Sequence, residues 1–273
     1  MKHVKKLALL SVILLTLLMG SCDALFSNKF QELGLGQVDT AALQEANADT
    51  LIAQSGVNSG QISQSFIDAA LKDDATKAAV IAQLDAASTS GDPKVEQTAQ
   101  ALLIEIKLQD TGAKEVVSNM GGLLDLFTGD DQPDPSTPEG MNAIIDTLIP
   151  DNLSDQELVD VFNSLDLLAQ NEIDDFGQNL VDNQGLQNDQ IDTASIAQTA
   201  VLATVVEVLD PVVGYASVGE ALVAALNNED PTKDFDDFVT VPAGGLDGLT
   251  TDDNLTAIFT AAGLGDLINK LGS

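Results

Sequence analysis

The 273-residue sequence predicts an all-α protein, either a multi-helix bundle or an α-solenoid-like array of helical hairpins. Three observations carry this expectation. Apolar residues recur three and four positions apart along most of the chain, which is the helical period. Several of these stretches open on a Ser or Asp suited to capping a helix, and no run alternates in twos as a half-buried strand would. Hydrophobic residues make up 44% of the chain but aromatics only 4%, with no Trp, so a core must be assembled from Ala, Val, Leu and Ile, which suit close-packed helices.

The first segment, Met1 to Cys22, differs from the rest. Lys2, Lys5 and Lys6 form a basic start, and Leu7 to Met19 is apolar apart from Ser11 and Thr16. Gly20 and Ser21 are small, and Cys22, the only cysteine, follows them. A basic head, an apolar middle and a small-residue exit make up a secretory signal peptide, and the apolar run is short of the roughly 20 residues that cross a bilayer. Leu18-Met19-Gly20-Ser21-Cys22 resembles the lipobox of bacterial lipoprotein precursors. Met19 stands where the commonest box has leucine, and looser boxes of this kind resemble those of spirochaetes. The resemblance implies that residues 1–21 are removed as a signal peptide. It also implies that the Cys22 thiol receives a diacylglyceryl group and that the new amino terminus is acylated. Two or more chains would hold firmly where one binds only marginally. Residues 22–38 are then the lipidated cysteine and a short tether.

Residues 39–128 read as an N-terminal helical region. Short helices are expected across Thr40–Gln54, broken near Asn47–Asp49, with a loop at Ser55–Gly60. Gln61–Leu71 places Ile62, Phe66, Ala69 and Ala70 on one face, and Asp74–Ala87 is Ala-rich. Asp92-Pro93 is a helix start, an acidic N-cap followed by proline in the first turn. Its helix carries the stripe Val95, Ala99, Leu102 and Ile106 and ends at Gly112. Ala113–Phe127 repeats the pattern with Val116, Val117, Met120, Leu123, Leu124 and Phe127. The tight connections predict antiparallel neighbours.

Residues 129–138, GDDQPDPSTP, form an acidic Pro-rich linker that favours no core, and they mark the boundary or hinge between two helical halves. The C-terminal helical region, 139–273, begins with the face Met141, Ile144, Ile145, Leu148 and Ile149. Ser154-Asp155-Gln156-Glu157 is a capping box. The stripe after it, Leu158, Val161, Phe162, Leu165 and Leu168, continues through Ile173, Phe176 and Leu180, which predicts a long helix to about Asp182 weakened at Gly177. Asp192 is placed to cap a helix running to Leu209 that is apolar on every face, with Glu207 its only charge. Asp210-Pro211 turns the chain into a second apolar helix carrying Val218, Ala221, Leu222, Ala225 and Leu226. A buried central hairpin is the expectation for this pair. A membrane hairpin has arms that are too short and would have to neutralise Glu207, Asp210 and Glu220. A short helix capped by Asp230 follows, carrying Phe235, Phe238 and Val239. After the Gly-rich loop Val241–Gly248, Thr250 or Thr251 caps a last helix bearing Leu255, Ile258, Phe259 and Ala262, then Leu267, Ile268 and Leu271.

Charge bounds the function. The net charge is −32, with 43 acids against 11 lysines and no arginine, and losing the three signal lysines takes it to −35. Such a body repels nucleic acid and anionic head groups, because both are bound by neutralising phosphate with Lys or Arg. His3, the only histidine, lies in the signal segment, so the mature chain lacks Ser-His-Asp and Cys-His chemistry and His-ligated metal sites. With Cys22 committed to lipid, no thiolate catalyst remains. No phosphate-binding loop is present. Carboxylate pairs could serve a glycosidase, but sugar sites want aromatic rings, of which this chain has few. Asp130, Asp131 and Asp134, and the Asn and Asp residues of Asp182–Asp192, do not fit a calcium-loop spacing and read as a solvated linker and a helix cap.

The expected protein is therefore a non-enzymatic lipoprotein of the cell envelope, with no catalytic residue, cofactor or metal. It is anchored to a bacterial membrane through lipid on Cys22, with its body in the periplasm or at the cell surface. It acts as a helical scaffold or accessory component that binds an envelope protein partner, with the groove between its halves as the binding surface. The alternative is a carrier of a small apolar ligand or a divalent cation, with a pocket against Ala194–Leu226.

Overall fold

The computed structural model describes residues 38–264 apart from 58–60, 120–146, 148, 151, 184–186, 229, 231, 234 and 242–251. The signal segment, Cys22, the 129–138 linker, the Met141–Leu148 face and Leu267–Leu271 lie outside the described residues. Within them the chain is an all-α multi-helix fold. Its helices are α1 (Thr40–Glu45), α2 (Ala48–Gln54), α3 (Gln64–Ala70), α4 (Asp74–Ala87) and α5 (Pro93–Asp110). A helical segment at 113–119 follows. Then come α6 (Asp155–Leu168), a π-helical turn (Ala169–Ile173), α7 (Asp174–Asp182), α8 (Thr193–Glu207), α9 (Val218–Leu226) and α10 (Asp253–Ala261).

The helix starts are set locally by capping side chains. The Asp92 carboxylate accepts from the backbone N–H groups of Lys94 and Val95 at 3.0 and 3.4 Å, with Pro93 in the first turn. Ser154 and Glu157 form the reciprocal capping box of α6. The Asp192 carboxylate accepts from Ser195 N at 3.2 Å and starts α8. Each such cap satisfies amides that have no partner within the helix and contributes about 1 kcal/mol.

Two apolar cores form, and α5 belongs to both. One gathers Leu43, Leu51, Phe66, Val80 and Leu84 around Leu102 and Ile106. The other joins Ala101, Ile104, Leu108, Val116 and Val117 to Leu165, Leu168, Phe176, Leu180, Val205 and Ile258. The long α6–α7 rod is the axis of this second core, with α8 and α9 against α6 and α10 against α7. Partners far apart in sequence meet here, as in a bundle and unlike a solenoid whose repeats touch only their neighbours.

The structure departs from the sequence expectations at five places. The rod does not weaken at Gly177. A Cβ there would lie 2.6 to 2.8 Å from the Cβ, carbonyl oxygen and carbonyl carbon of Asn254, so the glycine admits the close approach of α10. The rod's irregularity sits instead at the π-helical turn, where one wider turn brings Glu172 inward. The two apolar helices α8 and α9 do not pair as a hairpin. Each packs on α6, and the α9–α6 crossing is close because Gly219 offers no side chain; its N–H donates to Asn163 Oδ1 at 3.0 Å. Asp210-Pro211 is not only a turn, since it pairs antiparallel with Val239-Thr240 in a two-residue ladder. Val239 is thus extended and buried, and among the described residues of this stretch Phe235–Asp237 makes a 3₁₀ turn. Finally, Asp252 caps α10, accepting from Leu255 N at 2.8 Å; its carboxylate adds a favourable charge–dipole term that a threonine lacks. Among the described residues no helix is long and apolar enough to cross a membrane.

Candidate functional site

Two concavities flank helix α8, one at each end. The first lies between α5 and the N-terminal half of α8, where the 39–128 and 139–273 regions meet. Its floor is apolar, formed by Val57, Ala101, Ile104, Leu108, Ile191 and Ile196, and its volume is about 220 Å³. Its rim carries Gln61, Gln64, Ser118, Gln190, Ser195 and Thr199. Glu105 and Lys114 stand in its wall and form an ion pair. Residues 101, 104 and 108 share one side of α5, and Ile196 and Thr199 share one side of α8.

Elsewhere along α5 a polar seam joins it to α7 and to the 187–191 loop. The Gln97 amide donates to Asn179 Oδ1 at 2.8 Å and accepts from Asn188 N at 2.8 Å. Asn179 Nδ2 donates to Glu96 Oε2 at 2.6 Å, and Asn188 Nδ2 donates to Thr98 Oγ1 at 2.9 Å. Gln97 is fully buried, and each of its amide atoms has a partner. Near the other end of α5, Lys107 pairs with Glu172 of the π-helical turn.

The second concavity is acidic. Asp174, Glu207 and Asp252 line it together with Gln170, Thr204 and Asn254, around a volume of about 310 Å³. Glu207 keeps part of its surface in water. Burial of the rest pushes its carboxyl up, and the negative charges of Asp166, Asp174 and Asp252 push it further. Burial also raises Asp166, against a hydrogen bond from Gln170 that lowers it. Asp174 accepts from Asn254 Nδ2 at 2.6 Å, and Asp252 is spent on its cap. Among the described residues no group of three or more carboxylates is arranged to hold a metal ion.

Of the residues singled out in the sequence, Cys22, Asp130, Asp131 and Asp134 lie outside the described residues. Within Asp182–Asp192, Asn188 is used in the α5 seam and Asp192 as a cap. The cleft residues were not foreseen as a set, because they come from four separated segments and no spacing links them. Ser195, Ile196 and Thr199 of α8 line the first concavity. Glu207 was visible as the lone charge of an apolar helix, though not as a member of an acidic cavity.

No protein-family model matches the chain, and no curated protein or solved structure is similar to it.

Proposed function

We propose that this chain is the precursor of a cell-envelope lipoprotein, anchored through lipid on Cys22, whose helical body acts without catalysis by binding a partner protein. The observation that carries the reading is the lone cysteine at the exit of a basic, apolar, small-residue segment. The body supports it in a general way. It is a capped, doubly cored helical scaffold, and it displays apolar side chains such as the fully exposed Val213 and the half-exposed Leu167. Contiguous exposed apolar patches mark protein contacts, whereas singly exposed apolar residues are ordinary surface.

Two measurements test this. Metabolic labelling with an alkyne fatty acid should mark the wild-type chain and not Cys22→Ser; equal labelling of both ends the anchor proposal. In-cell crosslinking followed by affinity capture of the lipidated chain should then return one stoichiometric envelope protein. A blank result, beside a recovered control complex, counts against the scaffold role. It would favour a second reading, a carrier of a small apolar ligand. The observation behind that reading is the cleft against α8, with its apolar floor and polar rim.

A further inference from the structure

The cleft between α5 and α8 is open on one side, and its walls say what part of a ligand they would hold. Its volume of about 220 Å³ exceeds the roughly 150 Å³ of a cavity that admits benzene. It falls short of the about 300 Å³ at which pockets for drug-sized ligands begin. The part of an occupant held inside the cleft is therefore a ring or short branched chain. Ala101, Ile104 and Ile196 form a floor that offers no hydrogen bond, so the body of the occupant is apolar.

The charges at the cleft are already answered. Glu105 and Lys114 pair with one another, their side chains only 15% and 21% exposed. Asp192 turns its carboxylate to Ser195 N, at the positive end of α8. A charged occupant would have to break this largely buried pair, or draw the Asp192 carboxylate away from the α8 amide it caps, which is costly in a partly desolvated site. The part-exposed Ser195 hydroxyl and the lone pairs of the Ser118 hydroxyl, which donates to Lys114 O, suit one uncharged polar group.

We propose that this cleft binds a small uncharged amphiphile, a benzene-to-indole-sized apolar body bearing one neutral hydrogen-bonding group. The inference rests on the carrier reading and gives it a ligand class.

The test uses the full lipidated chain in phosphatidylcholine nanodiscs, with the isoleucine methyl groups carbon-13 labelled. Indole, benzoate and benzylammonium serve as probes of similar size and different charge. Indole should shift the Ile104 and Ile196 methyl signals saturably, with half-saturation at least tenfold lower than for either charged probe. Ala101→Leu, which fills the floor, should weaken indole at least tenfold. Ser195→Leu, which narrows the rim from a partly exposed position, should do the same if the first variant is poorly folded. Saturation by a charged probe as readily as by indole overturns the ligand class and leaves a carrier cleft. Saturation that neither variant weakens overturns the placement of the site. No saturable shift from any probe overturns the class and the carrier reading together, while the fatty-acid labelling of Cys22 and the partner capture still decide the scaffold proposal on their own.

Discussion

Helix α5 is buried on two sides that are built from different chemistry. Toward α1–α4 it presents Ala99, Leu102, Leu103 and Ile106, an apolar stripe at helical spacing. Toward the α6–α7 rod it presents amides, a lysine and a shorter apolar set, Ala101, Ile104 and Leu108. The apolar side gains stability from area removed from water and tolerates exchange among similar shapes. The polar side depends on every donor meeting an acceptor, because a buried amide without its partner loses the full cost of leaving water. One side fixes that the helix is buried; the other fixes which surface it meets.

The strongest way to break the apolar side is Leu102→Ala. Leu102 is fully buried, and removing it leaves a cavity as well as lost transfer energy, so a loss of about 2–5 kcal/mol is expected in urea unfolding. A loss under about 1 kcal/mol would mean that α1–α4 collapse onto the site and that the first core is loosely packed. On the polar side, Gln97→Leu keeps the volume but strands the Asn188 N–H and leaves Asn179 Oδ1 only the 3.4 Å bond from Asn183 Nδ2. A loss of about 2 kcal/mol is expected, with faster amide exchange at Asn188. Unchanged exchange there would show that the seam does not hold the 187–191 loop.

Gln100 sharpens the contrast. It lies one turn along from Glu96 and Gln97 and is only 4% exposed, yet its Oε1 has no hydrogen-bond partner among the described residues. Gln100→Leu removes that oxygen at similar helix propensity, so stability should hold within about 0.5 kcal/mol or rise by up to about 1 kcal/mol. A loss as large as that of Gln97→Leu would reveal a bond to Gln100 and remove the distinction between partnered and unpartnered amides.

The two sides were not equally legible in the sequence. The stripe Val95, Ala99, Leu102 and Ile106 announced itself by spacing, as did Leu158 to Leu180 along the rod, because burial of apolar groups repeats with the helix period. The caps at Asp92, Ser154 and Asp192 were legible because they act within three residues of themselves. Gln97, Asn179 and Asn188 look like ordinary solvent-facing amides, since their partners lie 82 and 91 positions away. Gly177 reads as a weak point for the same reason: the Asn254 backbone and side chain it admits come from another helix, as do those of Val159 and Asn163 that Gly219 admits. The Asp210-Pro211 ladder is two residues long, too short to alternate. The cleft has the same origin as the seam, for its floor is assembled from segments that no local pattern connects.

The smallest expected effect tests the opposite case, a carboxyl that meets only like charge. Glu172 has Lys107, whereas Glu207 has Asp166, Asp174 and Asp252. Burial first, and then these neighbours, raise the folded-state pKa of Glu207 above its ordinary 4.5, so between the two values the folded chain holds the proton more tightly than the unfolded chain. The sign follows. Its contribution to stability is best below 4.5 and declines as pH rises through the raised folded value. Asp73, Glu157 and Asp230 run the other way: hydrogen bonds at their caps and turns lower them, and their contribution is lost as pH falls through their folded values. Glu207→Gln should therefore stabilise the chain at pH 7, by a few tenths of a kcal/mol once solvent screening is allowed for, and the gain should vanish as the pH approaches 4.5. Asp236→Asn, at an exposed position, removes the same unit of net charge and controls for general self-repulsion. Equal gains from the two variants at every pH would assign the effect to the charge of the whole chain, and the acidic cavity would then be no more than part of a solvated surface.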